Sequence, residues 1–415
     1  MPPSVGSWPS TTVSTSNRKE TAMSKAAPLR QKFFTPNVMF LLFIMFLGAL
    51  FALPRFFFGF GSVTNLNPSY PMGIWIAFDV ACGVALAAGG FTTALVVEVF
   101  GKHKYHPLLR PAILTAFIGY MLVAMAVAFD LGRWYYIWHA LVYWNGNSVL
   151  FEVAWCVTLY LTVLGVENIP NVIEEYKGNV HLPGKLASFN GPLDALLGKA
   201  DTVLRRIMVF FVIGGIVLSF GHKSSLGTMM LIASYKLHEL WLTPLSPLLF
   251  LLSAMSGGIP MVIFEGTLAS KLFGRKSEID LLGGISRYIP IFLIPFLVLR
   301  IGDVIYRGAL PSAFDGSLQG MAFLLEIALF AGPLVMFLQK QTRENDWRLF
   351  FSALSVILGV VTYRFNVFLV GMDMGPGWDY FPSVGEFAIT FAFIAFGVLL
   401  YKFAVNYLPI LEEQH

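Results

Sequence analysis

Ten apolar runs divide this chain, and each is long enough to cross a bilayer, which takes about 20 residues in a helix. Composition agrees, because hydrophobic residues make up 56% and charged residues 13% of the 415, whereas soluble domains carry about 25% charged residues. In lipid every backbone polar group must be bonded within the protein, so runs of this length form helices. The sequence therefore predicts an all-α integral membrane protein with ten transmembrane helices, near 38–60, 72–99, 109–130, 148–167, 204–220, 245–267, 288–307, 318–339, 348–371 and 384–407.

The first 36 residues are predicted to form a disordered tail. They are polar and rich in Ser, Thr and Pro, and they lack the apolar core of a cleavable signal peptide. Met1 and Met23 both stay open as the start of the chain. The membrane domain is expected over 37–410, with 411–415 as a short C-terminal segment.

The distribution of Lys and Arg predicts the orientation. With the N-terminus inside, the inner segments and adjoining helix ends hold 21 of the 28 basic residues. Because basic residues concentrate on the cytoplasmic side, both termini are predicted to be cytoplasmic, in a multi-pass protein of the inner membrane. The other seven basic residues are expected at the outer level: Arg55, Arg133, Lys223, Lys236, Arg300, Arg307 and Arg364.

Acidic residues share that outer level: Asp79, Asp130, Glu152, Asp303, Glu326 and Glu386. Ion pairing that holds the bundle together is the expected role of five charged residues of the second half, and Arg300 and Asp303 stand one helical turn apart. The five are Arg300, Asp303, Arg307, Glu326 and Arg364.

A faint repeat relates the third and fourth helices to the seventh and eighth. Arg133 precedes Glu152 by 19 residues, and Arg307 precedes Glu326 by the same 19. The pairs are four spans apart and run in the same direction, which predicts a parallel repeat. Two four-helix bundles, about 72–220 and 245–371, are therefore expected, with the first and last helices peripheral.

Several cofactors are not expected in this chain. None of the seven histidines is predicted to lie mid-span, and His222 is expected just past the fifth helix, so no bis-histidine haem is predicted. Two cysteines, Cys82 and Cys156, cannot supply the four ligands of an iron–sulfur cluster. No metal motif or nucleotide loop is present, and the net charge of +4 reflects topology rather than nucleic-acid binding.

Asp79 is the main functional candidate, because it lies in an otherwise uncharged span, where an ionisable group is costly and usually functional. Aromatic surfaces with a few polar groups suit an amphipathic ligand such as a quinone, and Asp79, His139 and Glu152 are candidates for handling its protons. The residues alone leave open a second reading, a transporter site for a small polar substrate. The predicted pocket lining is Trp75, Asp79, Asp130, Arg133, Trp138, His139, Asn147, Glu152 and His222.

A route for protons from the inner side is a further hypothesis. Glu98, Glu167 and Glu265 stand near inner helix ends, and Tyr120, helped by Thr92, Thr93 and Ser256, lies between them and Asp79. The alternative is that these glutamates only mark the membrane interface.

Long ordered strings in this chain resemble a known family. SYPMGIWIAFDVACGVALAAGGF is similar to the second helix of the NrfD/PsrC family of quinone-interacting membrane subunits. YHPLLRPAILTAFIGY, NSVLFE, HKSSLGTMM with YKLH, VIFEG, LRIGDVIYR and YFPSVGEF resemble its ten-helix branch, found in hydrogenase-2 type complexes and in the quinone reductase complex of sulfate reducers. The likeness covers roughly 37–410.

The resemblance implies a subunit without a redox cofactor of its own, inactive alone, that serves an oxidoreductase complex. Electrons would come from a periplasmic ferredoxin-like iron–sulfur partner, supplied by further catalytic or multihaem cytochrome subunits, and menaquinone would be the substrate. The quinone site would lie near the periplasmic face, in the first four-helix unit. Asp79 matches the acid of the family's second helix and takes its role.

Overall fold

The computed structural model describes residues 26–412, except 68, 69, 71, 233, 374 and 376–379. Within them it contains ten helices long and apolar enough to span a membrane, which confirms the predicted all-α fold and helix number. The expected tail over 1–25, Trp378 and residues 413–415 lie outside the described residues. The helices are α1 Pro36–Phe58, α2 Trp75–Val99, α3 His103–Asp130, α4 Val149–Tyr176, α5 Leu186–Ile232, α6 Ser246–Leu272, α7 Ile279–Tyr306, α8 Leu318–Leu338, α9 Asp346–Val370 and α10 Val384–Tyr407.

The fifth helix differs most from its predicted bounds of 204–220. Its 47 residues extend about 70 Å at about 1.5 Å per residue, well beyond a hydrocarbon core of about 30 Å. It passes the expected boundary without a break, so the prediction that His222 follows the helix is wrong. His222 lies inside α5 and contacts Tyr120, halfway along α3.

We name the two ends of the helix bundle after residues that lie there. The Asp130 face is where α1 and α3 end and α4 begins, at Phe58, Asp130 and Val149; the Glu98 face is the opposite end, where α2 ends and α3 begins, between Glu98 and His103. Asp79 lies toward the Asp130 face and Glu265 toward the Glu98 face.

Eight of the ten helices pack as sequential neighbours, α2–α5 and then α6–α9, and both α2 and α5 also pack against α6. Small residues let α2 approach its neighbours closely, since a Cβ at Gly258 of α6 would stand 2.4 Å from the Thr92 Oγ1 atom. The main core lies where α2 meets α6 and α9. The division into two four-helix bundles and their repeat relationship stay predictions.

The two outermost helices pack on one another and on the first bundle. A Cβ at Gly48 of α1 would stand 2.3 Å from the Cβ of Ala392 in α10, and α10 also contacts α2 and α3. Next to them, strand β1 (Ala26–Ala27) pairs antiparallel with β2 (Leu411–Glu412). The described part of the expected tail is therefore joined to the C-terminal segment.

Four of the five charged residues expected to form ion pairs in the second half do so, with different partners, whereas Arg364 bonds the Phe250 carbonyl and the Ser253 hydroxyl and forms no ion pair with the described residues. Arg300 bonds Glu326 at 2.8 Å across α7 and α8, both side chains being fully buried, rather than Asp303. Asp303 pairs with Arg307 at 2.7 Å instead. Trp241 and Asn366 donate to the other Glu326 oxygen at 3.0 and 2.9 Å. Each oxygen of this carboxylate is thus matched by a donor, which indicates a structural role.

Candidate functional site

Asp79 lies on a widened π-helical turn of α2, Trp75–Cys82, and its side chain is buried. Such turns are rare and often occur at functional sites. The Thr390 hydroxyl of α10 donates to the Asp79 Oδ2 atom at 2.7 Å. The helix expected to be peripheral therefore supplies a direct partner to the main functional candidate.

Asp130, the last residue of α3, is the second carboxyl group of this region and interacts electrostatically with Asp79. Its Oδ1 atom is buried and has no hydrogen-bond partner among the described residues. The nearby Arg55 of α1 donates to the Phe129 carbonyl oxygen at 2.8 Å and to that of Leu131. Arg55 thus satisfies carbonyl groups that the end of a helix leaves unpaired, and its charge faces Asp130.

Glu386 of α10 is the third carboxyl group, and donors surround it. It accepts from the Tyr380 hydroxyl at 2.5 Å and from the Asn65 backbone N–H at 3.1 Å, and it closes a capping box with Ser383. Burial and the bond to Glu386 raise the pKa of Tyr380, which keeps this phenol a donor. The backbone carbonyl of Glu386 accepts from the indole of Trp75 at 3.3 Å. Trp75 is fully buried and helps to fix α2 against α10.

The structure separates the predicted pocket into three places. Trp75, Asp79 and Asp130 lie together inside the protein. Arg133, Trp138, His139 and Asn147 lie in the connection from α3 to α4, where they are exposed or half-buried. His139 stacks among aromatic rings there, 4.1 Å from the Trp138 ring and 4.4 Å from the Tyr136 ring.

Glu152 and His222 occupy the third place, where α4 meets α5. Glu152 accepts from the Ser225 hydroxyl at 2.7 Å. His222 is fully buried beside Tyr120, and its Nδ1 atom lies 2.7 Å from the Leu218 carbonyl oxygen. The hydrogen-bond partners of these two residues thus come from α3 and α5, whereas that of the Asp79 side chain comes from α10.

Lys223 follows His222 and was expected at the outer level. It is buried, and its Nζ atom donates to the Tyr120 hydroxyl at 2.9 Å and to the Ser219 hydroxyl at 2.6 Å. Arg55, Arg300 and Arg364 are also buried. Four of the seven basic residues expected at the outer level therefore lie inside the protein.

The histidines of the described part do not suit a bis-histidine haem. Six are described, and His222 alone of them is fully buried. Both of its ring nitrogens already have partners, Tyr120 and Leu218. Binding iron would require one of those bonds to break. His103 and His106, the other two histidines of the described spanning helices, lie at the start of α3, at least 14 positions before Tyr120.

The predicted proton-route residues lie beside two small cavities. Glu265 lines one with Tyr401 and Arg275, and Glu167 lines the other with Tyr160. The hydroxyls of Thr115 and Tyr401 approach Glu265, although its Oε1 atom makes no hydrogen bond of normal geometry within the described part of the chain. Glu98 is exposed at the Glu98 face. Neither cavity contains Asp79.

Four groups of the site were not expected from the sequence: Arg55, Tyr380 and Thr390 around the carboxyl cluster, and Lys223 beside Tyr120. One signal was present, since Ser383 and Glu386 have the S-x-x-E spacing of a capping box before an apolar run. Thr390 stands one turn beyond Glu386, on the same side of α10.

These features define a class: a ten-helix membrane protein with a buried carboxyl cluster toward one face. Residues 62–374 match the polysulphide reductase, NrfD family, and the chain belongs to this family. The predicted family resemblance is confirmed.

Relatives within oxidoreductase complexes cover nearly the whole chain. It is 36% identical over 389 residues, 92% of this chain and 94% of the relative, to a probable Ni/Fe-hydrogenase 2 b-type cytochrome subunit of Escherichia coli. It is 25% identical over 405 residues, 91% and 92% of the two chains, to the menaquinone reductase integral membrane subunit of Nitratidesulfovibrio vulgaris. It is also 25% identical over 376 residues, 82% and 86%, to a selenate reductase subunit of Mesobacillus selenatarsenatis.

The names of these relatives bear on two predictions. Each describes a subunit of an oxidoreductase, which agrees with a chain that is not catalytic alone. The first calls its protein a b-type cytochrome subunit, so the expectation that this chain binds no haem stays a prediction.

Proposed function

We propose that this chain is the quinone-binding membrane subunit of a respiratory oxidoreductase complex and passes electrons from an iron–sulfur partner to menaquinone. The observation that supports this most is the cluster of Asp79, Asp130 and Glu386, in which a buried oxygen of Asp130 has no partner among the described residues. Family membership and the menaquinone reductase relative point to the same ligand.

Asp79 and Asp130 would supply protons to the quinone, since its reduction takes up two protons with two electrons. Glu386 is saturated by donors, so it would hold the site's shape rather than exchange protons. The hydroxyl of Thr390 orients one Asp79 oxygen. His139, in the α3–α4 connection that follows Asp130, remains a candidate second donor, together with Arg133, Trp138 and Asn147.

The partner is proposed to dock on the α3–α4 connection. This connection exposes a run of large apolar side chains beside the carboxyl cluster, and aromatic residues are enriched at protein interfaces. A ferredoxin-like iron–sulfur subunit, with further catalytic or multihaem cytochrome subunits behind it, is the proposed occupant. The exposed side chains are Trp134, Tyr135, Tyr136, Ile137, Trp138, Leu141, Val142, Tyr143 and Trp144.

We place the Asp130 face in the periplasm. Four of the seven basic residues expected on that side are buried within the protein, which leaves Arg133, Lys236 and Arg307 against 21 on the inner side. The stronger asymmetry supports cytoplasmic termini.

Protons for the quinone are proposed to come from the opposite, Glu98 face. The two small cavities beside Glu265 and Glu167 lie in this half of the protein, and Tyr120 lies deeper along the proposed route. Quinone reduction near one face with protons from the other would build a membrane potential.

Replacing Asp79 with Asn tests the site. The amide keeps the shape and removes the titratable group, so quinone-linked turnover of the purified complex should fall on the order of 100-fold, while its subunits still assemble. Asp315→Asn, in the exposed α7–α8 connection, is the matched control and should keep wild-type turnover.

Normal quinone turnover in the Asp79→Asn complex would disprove the assignment. A transporter, the alternative function, would purify without iron–sulfur or cytochrome partners, so the composition of the purified material separates the two functions.

A further inference from the structure

Lys223 is a buried cation without a carboxylate partner in the described part of the chain. It lies 1% exposed in α5, its hydrogen-bond partners are two hydroxyls, and none of the ion pairs formed by the described residues includes it. Its Nζ atom stands 4.4 Å from the centre of the Phe91 ring. An ammonium group held this way in a membrane interior is costly, which favours a group that carries its charge only transiently.

Tyr120 connects Lys223 to His222. Because the His222 Nδ1 atom bonds a carbonyl oxygen, that nitrogen carries the hydrogen of the neutral ring, and Nε2 is an acceptor. The Tyr120 hydroxyl therefore accepts from Lys223 and donates to His222 Nε2.

This order of bonds allows a balanced proton shift. The Lys223 N–H bond breaks as its proton joins the Tyr120 oxygen. At the same time the Tyr120 proton leaves for His222 Nε2, so Tyr120 is unchanged. The positive charge moves from Lys223 to His222, and no electron is transferred.

A polar path reaches Lys223 from the Glu167 cavity. Glu167 and Tyr160 line that cavity, and Glu167 interacts electrostatically with Tyr160. The Tyr160 hydroxyl lies beside that of Ser219, which accepts from Lys223 at 2.6 Å. The path therefore runs from a carboxyl group through two hydroxyls to the amine.

Charges on neighbouring helices act on Lys223. Arg364 of α9 is also buried, bonds the Phe250 carbonyl and the Ser253 hydroxyl, and repels Lys223. Arg364 also interacts with Cys82 on the turn that carries Asp79. The other titratable groups that face this region are Tyr120 of α3, Cys156, Tyr160, Glu152 and Glu167 of α4, and His222 itself.

We propose that Lys223 is a proton-carrying residue that receives protons through Ser219 from the Glu167 cavity and passes them through Tyr120 to His222. The inference rests on the proton uptake proposed above.

The test uses the intact complex in proteoliposomes, with reduced viologen as electron donor and a short-chain naphthoquinone as acceptor, and with rates from protein-free vesicles subtracted. Quinone reduction and membrane potential are recorded together, and reduction is repeated with an ionophore present. In Lys223→Met, the membrane potential built per quinone reduced should fall on the order of tenfold or more, because the quinone reduction that remains must draw its protons from the near face. Lys199→Met, on the exposed end of α5, should keep the wild-type rate of quinone reduction and the wild-type membrane potential.

A second variant keeps the test decisive if Lys223→Met fails to assemble. Tyr120→Phe removes one oxygen and should reproduce the loss of potential. Wild-type potential in whichever of Lys223→Met and Tyr120→Phe assembles would overturn the role of Lys223. A wild-type complex that reduces quinone without building a potential would overturn the proton uptake itself, and one that reduces no quinone would overturn the proposed function.

Discussion

At the scale of single residues, two kinds of buried charge occur in this protein. Arg300 and Glu326 form a saturated pair, with each oxygen of Glu326 accepting a hydrogen bond. Asp130 and Lys223 differ from this pair. Within the described residues, one carboxylate oxygen of Asp130 has no hydrogen-bond partner, and the ammonium group of Lys223 has no carboxylate partner. A buried ion pair with all its hydrogen bonds formed stabilises the structure. A buried ionisable group without a partner is typical of sites that transfer protons or bind ligands.

Breaking the saturated pair should destabilise the protein strongly. Arg300→Met leaves Glu326 buried without its cation, which costs about 3–5 kcal/mol. The thermal unfolding midpoint of the detergent-solubilised complex measures this loss. Lys340→Met breaks an exposed pair with Glu344 and should leave the midpoint unchanged; equal midpoints for both variants would contradict the structural role of Arg300.

At the scale of elements, α1 and α10 are part of the site rather than peripheral to it. Thr390 and Glu386 of α10 contact Asp79 and the turn before α2, and Arg55 of α1 closes the end of α3. The close approach of the two helices depends on Gly48, where α10 leaves no room for a side chain.

Gly48→Ala should therefore separate α1 from α10. Its Cβ would stand 2.3 Å from that of Ala392, and overpacking of this kind costs about 1–3 kcal/mol. We expect a lower unfolding midpoint and reduced quinone turnover, because Thr390 moves with α10. Gly302→Ala, where a Cβ meets nothing within 4 Å among the described residues, is the control, and a similar loss in both variants would argue against the contact.

At the scale of the whole molecule, the protein has two faces of different charge and two bundles of different chemistry. The first bundle carries Asp79, Asp130 and Lys223, while the second carries the saturated Glu326 network. The Asp130 face has few exposed basic residues. Its proposed placement in the periplasm therefore depends on the distribution of charge over the complete chain.

Labelling of introduced cysteines tests that placement. In a variant with Cys82→Ala and Cys156→Ala, Asp315→Cys, exposed in the α7–α8 connection at the Asp130 face, should react with a membrane-impermeant maleimide added to intact spheroplasts. Asn179→Cys, exposed on the α4–α5 connection, should react only after the membrane is opened. The reverse pattern would place the Asp130 face in the cytoplasm.

Much of the fold could be predicted, because each apolar run must satisfy its backbone locally. The C-terminal end of α5 could not be predicted. Residues 221–232 mix polar and apolar side chains, so they do not form an apolar run, and burial within the protein keeps them helical. His222 and Lys223 were therefore expected outside the helix that contains them. Of the predicted pocket, the structure brings Trp75, Asp79 and Asp130 near one another and places His139 and His222 elsewhere, and the site itself stays a prediction.

The sequence by itself determined the all-α membrane fold, the number of helices and the family, because helix formation in lipid and ordered motifs are properties of contiguous residues. The tertiary structure alone decided which polar groups meet. Thr390 bonds Asp79 across 311 positions, and Asn65 bonds Glu386 across 321. Such contacts depend on how each helix is rotated and packed against the others, and that choice is made by close packing and by the high cost of an unpaired polar group in the membrane interior.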